Sequence, residues 1–267
     1  MSTKQPTPVR LALRVAATAA LVALIAPALA GATDDLPAAE EILDRYVEAT
    51  GGADAYGKLE NRLVTGTFGM PAMGMTGQMT IRQAAPDRMR MTVELPGIGT
   101  IESGYTGETA WELNPMTGAR LLEGEEAAMA HRQAVFNSEL KWRELYESVK
   151  TLGAQAVDDR KAYAVEMTPT EGRVETRYYD AESGILIKTV QVQPTQMGEI
   201  PVETTVSDYQ DFDGILIPTH ATIDMSVQEL VTTVDDVQHN VALPDDAFAP
   251  PAPVQALIEE QAAAAEQ

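Results

Sequence analysis

Residues 75–105, MTGQMTIRQAAPDRMRMTVELPGIGTIESGY, read as three consecutive strands joined by two tight turns. In the first strand Met75, Gly77, Met79 and Ile81 alternate with Thr76, Gln78, Thr80 and Arg82. After the Ala-Ala-Pro-Asp turn at 84–87, Met89, Met91, Val93 and Leu95 alternate with Arg88, Arg90, Thr92 and Glu94. Alternation with period two gives a sheet one wet and one apolar face. The apolar face is lined largely by methionine, whose unbranched, polarizable side chain adapts to shapes not fixed in advance. Two readings stand side by side: a soft core under a packed helix, or a soft surface for a variable apolar ligand.

Outward from this stretch the same rhythm continues. A helix is expected over about 38–50, with Ile42, Tyr46 and Ala49 on one stripe and acids in its first turn, and Gly51-Gly52 ends it. Asn61 to Phe68 is the first strand, and a flexible run at 69–74 precedes the decisive stretch. Beyond it come a strand carrying Thr109, Trp111 and Leu113, a turn at 114–118, and a short extended piece at 120–122. From Gly124 the pattern turns helical, with Met129 and Phe136 on the apolar side, and a second short helix carries Leu140, Leu145 and Tyr146. A helical pair between two blocks of strands has only the sheet to bury its apolar stripe against. A second series of hairpins runs from Val149 to a last strand over 227–241, for ten to twelve strands in all. No glycine- or serine-rich linker divides them, so residues 31–250 read as one domain, and 251–267 as a flexible alanine-glutamate tail.

The first thirty residues have a different character. Lys4, Arg10 and Arg14 precede an apolar run from Leu11 to Ile25, and Ala28-Leu29-Ala30 is a small-residue cleavage signal. This is the pattern of a secretory signal peptide, with cleavage expected after Ala30 and a product in the periplasm. The run is short for a membrane span. With no cysteine, a lipid anchor at the cleavage site and a disulfide framework are both excluded. After cleavage 16 basic residues face 40 acidic ones, a net charge of −24. That balance argues against nucleic acid and anionic membrane surfaces as partners; a surface adapted to salt has the same composition.

Signatures of chemistry are sparse. Met70, Met73 and Met75 are thioethers of the kind that suit Cu(I), but no histidine or cysteine lies beside them, and a cavity rim is the better reading. Asp211-Phe212-Asp213-Gly214 superficially suggests a calcium loop. Setting Gly214 at that loop's glycine puts Tyr209 and His220 where acids are required, so a hairpin turn is expected. His131, His220 and His239 share no metal spacing, and there is no GxSxG elbow or phosphate-binding glycine loop. No enzyme activity, cofactor or metal is expected.

The order helix, strands, helical pair, strands resembles the periplasmic lipoprotein-carrier fold of the outer-membrane lipoprotein-sorting family. ILDRYVEATGG at 42–52, the run at 85–115 and YYDAESGIL at 178–186 resemble family members of unknown role. The resemblance implies a mainly β fold: a strongly curved antiparallel sheet of about 11 strands, an incomplete β-barrel, covered on its concave face by the N-terminal helix and the central helical insertion. It also implies a cavity that shields lipid or lipoprotein acyl chains, with inner- or outer-membrane proteins as possible partners. No ligand residue is carried over by motif. Alternation nominates Met75, Met79, Ile81, Met89, Met91, Val93 and Leu95 to line the sheet, with Trp111, Met129 and Phe136 completing wall and lid. The alternative is an envelope protein-interaction or sensory module of the same fold, without a transported ligand.

Overall fold

A computed structural model describes residues 36–195, 198–226 and 228–265; the expected signal segment 1–30 lies outside the described residues. The first block of strands is β1 (Asn61–Met70), β2 (Met75–Ala84), β3 (Arg88–Leu95), β4 (Gly99–Tyr105), β5 (Ala110–Asn114) and β6 (Gly118–Leu121). The second block is β7 (Tyr146–Val157), β8 (Arg160–Pro169), β9 (Glu175–Asp180), β10 (Leu186–Thr195), β11 (Gly198–Phe212), β12 (Ile215–Asp224) and β13 (Glu229–His239). All thirteen form one antiparallel sheet in the order β6-β5-β4-β3-β2-β1-β13-β12-β11-β10-β9-β8-β7. Each block is a meander of hairpins. They meet where the first strand pairs with the last, and β6 and β7 stay as free edges, so the sheet is not closed.

The turns follow local chemistry. Between β11 and β12, Asp213 and Gly214 both have positive φ (56° and 83°), the type I′ geometry that matches strand twist, so the DFDG segment is a hairpin. Between β9 and β10, Asp180 Oδ1 accepts from the Glu182 and Ser183 amides and from the Ser183 hydroxyl.

Helix α1 (Ala39–Ala49) is followed by the single turn α2 (Ala53–Tyr56). Ala39, Ile42 and Leu43 of α1 pack into a core with Trp142, Tyr146, Val165, Met167 and Tyr179. The helical insertion is α3 (Gly124–Ala134) and the short α4 (Trp142–Leu145), which together link edge strand β6 to edge strand β7. Helix α3 packs on β3, β4, β5 and also β10. In a flat sheet β4 and β10 would lie seven strand spacings apart, about 34 Å. One eleven-residue helix touching both requires the sheet to curl strongly around it.

The strand count exceeds the expected eleven: β6, expected only as a short extended piece, is a full ladder partner of β5, and β7 starts at Tyr146, earlier than the expected Val149. The last strand begins at Glu229; its expected start, Val227, lies outside the described residues. The run at 69–74 holds a 3-10 turn over Pro71–Met73. The largest departure is at the C-terminus. Residues expected as a flexible tail form helix α5 (Ala252–Ala265), packed on β5 and β6, with Val254 fully buried. Ahead of it a strap crosses the convex face: Ala247 and Phe248 pack on Ala84, and Arg90 donates to the Ala249 carbonyl at 3.0 Å. Helix α5 packs against β6, the end strand of the first block, while the strap lies over β2 and β3.

Candidate functional site

Residues directly opposite in an antiparallel ladder share a face, so the register assigns every side chain to the concave or convex side. Gly66, Met79, Val93 and Ile101 lie in one such row, and Val64, Ile81, Met91 and Ser103 in the next. These rows face α3. The Gln83 amide, which shares their face, donates to the Gln133 carbonyl in α3 at 3.3 Å.

The methionine face divides into a filled part and an open part. Met79, Val93 and Leu95 are buried and pack with Phe68, Met70, Ile81, Met91, Ile98 and Ile101. Met75 pairs with Met70 at the outer end of this cluster. Nearer α3, the half-buried Met89, Met91 and Ile101 line a cavity of about 290 Å³, closed from above by Met129 and Gln133 and from across the curl by Gln193 and Pro194 of β10. Phe136 is buried just past the end of α3, beneath the Arg62 guanidinium at 5.6 Å from its ring centre.

Trp111 borders the same cavity, but its indole takes the other side of the sheet. It pairs with Gly104, which pairs with Arg90, whose guanidinium binds the convex strap, so the register puts the indole on the convex side. A Cβ on Gly104 would lie 2.8 Å from the Trp111 ring, so that glycine is the floor the indole rests on. Trp111 is fully buried there, on a strand that α5 covers.

The second half of the concave face has a chemistry that alternation did not announce. A cavity of about 340 Å³ lies under α1, α3 and α4, sharing Met129 and Gln133 with the first. Its floor is Glu175, Arg177, Thr189, Gln191 and Thr204, with Leu186 and Val206 beside them. Arg177 Nε donates to Glu175 at 2.7 Å and its Nη2 to the Tyr146 hydroxyl at 2.6 Å, while that hydroxyl donates to Glu175 at 2.8 Å. The Glu175 and Arg177 side chains are 6% and 27% exposed. Burial opposes the charge on Arg177, but Tyr146 and Glu175 outweigh it and hold the guanidinium charged above even arginine's ordinary range. Burial also pushes the Tyr146 hydroxyl up, keeping it a neutral donor.

The signal for this half was present in the sequence. Arg173, Glu175, Arg177 and Tyr179 alternate along one face, a pattern that ordinarily marks the solvent side because charged residues are seldom buried unless paired. Here the pairing is internal and the face turns inward. A second charged cluster sits by the methionine cavity, where Arg120 binds Glu112 at 2.6 Å and Glu126 through two nitrogens at 2.7 and 2.9 Å. Among the described residues no group of three or more histidine or acidic side chains is placed to hold a metal ion.

An open thirteen-stranded sheet curled around a helical insertion is the half-barrel architecture of the LolA-type lipoprotein-sorting fold. The chain is similar in structure to a LolA superfamily protein from Nitrosomonas europaea (13% identity, TM-score 0.55, covering 80% of this chain and 99% of that one). It is similar also to a DUF1329 family protein from Desulfovibrio piger (12%, 0.56, 80% and 98%). A domain from Vibrio parahaemolyticus assigned as an outer membrane lipoprotein-sorting protein is a third (12%, 0.53, 79% and 97%). No family model and no curated protein matches the sequence. At these identities the likeness is one of fold.

Proposed function

We propose that this chain is a periplasmic carrier or binding protein that shelters the acyl chain of a lipid or lipoprotein between the methionine half of its sheet and α3, acting by binding rather than catalysis. The observation that carries this reading is the unfilled space beneath α3, walled on one side by Met89, Met91, Ile101 and Met129 and on the other by the Arg120–Glu112–Glu126 cluster. Soft side chains around a void accept chains of varied shape. Each methylene buried there contributes about 0.8 kcal/mol. Of the two cavities under α3, about 290 and 340 Å³, the first lies just below and the second just inside the about 300–1,000 Å³ of small-molecule sites. The periplasmic setting is supported by the character of residues 1–30, and among the described residues no helix is long and apolar enough to cross a membrane. Membrane proteins that donate and accept the cargo belong to the same proposal.

The test is native mass spectrometry with organic extraction on protein purified from periplasm without detergent. A defined lipid mass, lost in Met91→Glu while the fold is retained, is the expected result. Met79→Glu is a poorer probe, because Met79 is core. Protein that is ligand-free and takes up neither lipid nor an apolar dye sinks the reading.

One observation favours the interaction-module alternative. Strand β7 pairs on one side only over twelve residues, with Leu152 48% exposed, and such an edge can accept a partner's strand. Partner capture that survives Met91→Glu but is lost on placing proline in β7 would favour it.

A further inference from the structure

Resting on the carrier reading, we infer that the polar floor beside Arg177 is a head-group subsite, and that it selects an amphiphile whose head is uncharged and hydrogen-bonding, such as a glyceride hydroxyl or ester, over an anionic one. Three observations lead there.

The two cavities adjoin beneath α3, with Met129 and Gln133 lining both and standing between them. A ligand that moves these two flexible side chains aside can lay its chain on the methionine half and its head on β9–β11. On that floor the Thr189 hydroxyl, the Gln191 amide and the Thr204 hydroxyl are half-buried, line the cavity, and have no hydrogen-bond partner among the described residues. These groups are open to water and free to bond a ligand, and a head with matching donors and acceptors exchanges those water contacts for direct hydrogen bonds.

The arginines nearest that floor and the methionine cavity are already ion-paired. Arg177 is bound by Glu175 and Tyr146, and Arg120 by Glu112 and Glu126. Arg132 and Glu139 complete the charged lining of the larger cavity, which balances at two cations and two carboxylates. Arg132 is at the mouth, where its Nη1 donates to the Glu171 carbonyl at 2.7 Å. An anionic head seated against Arg177 would therefore lose its water without gaining an unpaired cation there; the one cation of this lining without a carboxylate partner among the described residues is Arg132.

The experiment measures binding of 1,2-dioleoylglycerol and 1,2-dioleoyl phosphatidic acid, which differ only in the head, to the detergent-free protein, with an apolar dye as a third probe. The wild type is expected to prefer the glyceride by about tenfold or more. Glu175→Gln frees the Arg177 charge and narrows that preference, a gain in anion binding that misfolding does not produce. Glu147→Gln on the exposed face of β7 changes net charge equally and leaves the preference alone. Gln191→Leu weakens the glyceride several-fold and spares the dye.

Phosphatidic acid bound as tightly as the glyceride by the wild type overturns the inference, and its loss in Arg132→Gln would assign the anion to the mouth. A preference unmoved by both Glu175→Gln and Gln191→Leu overturns it as well, while leaving the carrier reading in place. Failure to take up either lipid or the dye removes both.

Discussion

The two halves of the concave face are built from the same meander and hold opposite interiors. Under β7–β9 Trp142, Tyr146, Val165, Met167 and Tyr179 pack against α1, and the Glu175–Arg177 pair beside them borders the polar cavity. Under β3 and β4 Met89, Met91 and Ile101 leave space beneath α3, bordered toward β5 by Glu112 and Arg120. Rigid aromatic packing fixes one wall and the helix that rests on it; flexible thioethers leave the other wall adjustable. The difference teaches that a single curved sheet can divide support from reception by composition alone, with no change of topology.

The sharpest way to break that comparison is to truncate one methionine on each side. Met167→Ala, at a fully buried site, is expected to cost about 2–5 kcal/mol in urea unfolding. Met91→Ala, beside an existing cavity, should cost well under about 2 kcal/mol, since little new void is created. Equal costs would mean that both walls are packed alike.

A smaller effect is expected at the seam joining the halves. A Cβ on Gly66 would lie 2.0 Å from the Thr233 carbonyl oxygen, where β1 crosses the irregularity in β13. Gly66→Ala should cost about 1–3 kcal/mol, and it should loosen both halves together, read by hydrogen exchange in β1 and β13. Loss of protection confined to one half would show that the seam does not couple them.

The same seam carries a pH dependence. His239 is held between Arg62, which donates to Nε2 at 3.2 Å, and Asp213, 3.2 Å from Nδ1. Burial, with Arg62 adding to it and Asp213 opposing, holds the imidazole below its ordinary value of 6.5. The unfolded chain therefore takes up the proton first. This contribution is complete above about pH 6.5 and is lost as pH falls through the lower folded value. His239→Gln should flatten the slope of stability against pH just below 6.5; an unchanged slope would place the titration elsewhere.

The least effect belongs to Met91→Leu, a volume-conserving change expected to cost under about 1.5 kcal/mol. If adaptability is what the methionine wall supplies, this variant should bind straight and kinked acyl chains with diverging affinities. Parallel affinities would show that shape, not softness, governs the wall.

The parts of this fold legible in the sequence are those governed by local rules. Alternation placed Met79, Met91 and Val93 on one face, and Asp213-Gly214 marked its hairpin. For Trp111 alternation ranks residues within a strand but not between strands; only the pairing of Gly104 with Trp111 tells which side the indole takes. The polar floor was missed for a related reason, since an inward Arg177 looks like an outward one until Tyr146, thirty-one residues earlier, closes on it. Helix α5 escaped notice because an alanine-glutamate tail has the same composition whether it is solvated or, as Val254 shows, laid against a sheet edge.

The connection from β6 to β7 has a mechanical consequence. Residues 122–145 run from one free edge of the sheet to the other, like the string of a bow whose limbs are the two meanders. Spreading the limbs stretches the string, so the bow can open only as far as α3 and α4 can shift or unwind at their ends. The residues after α3, where Asn137 adopts φ 52° and its amide grips the Tyr56 carbonyl, are the nock that sets the draw.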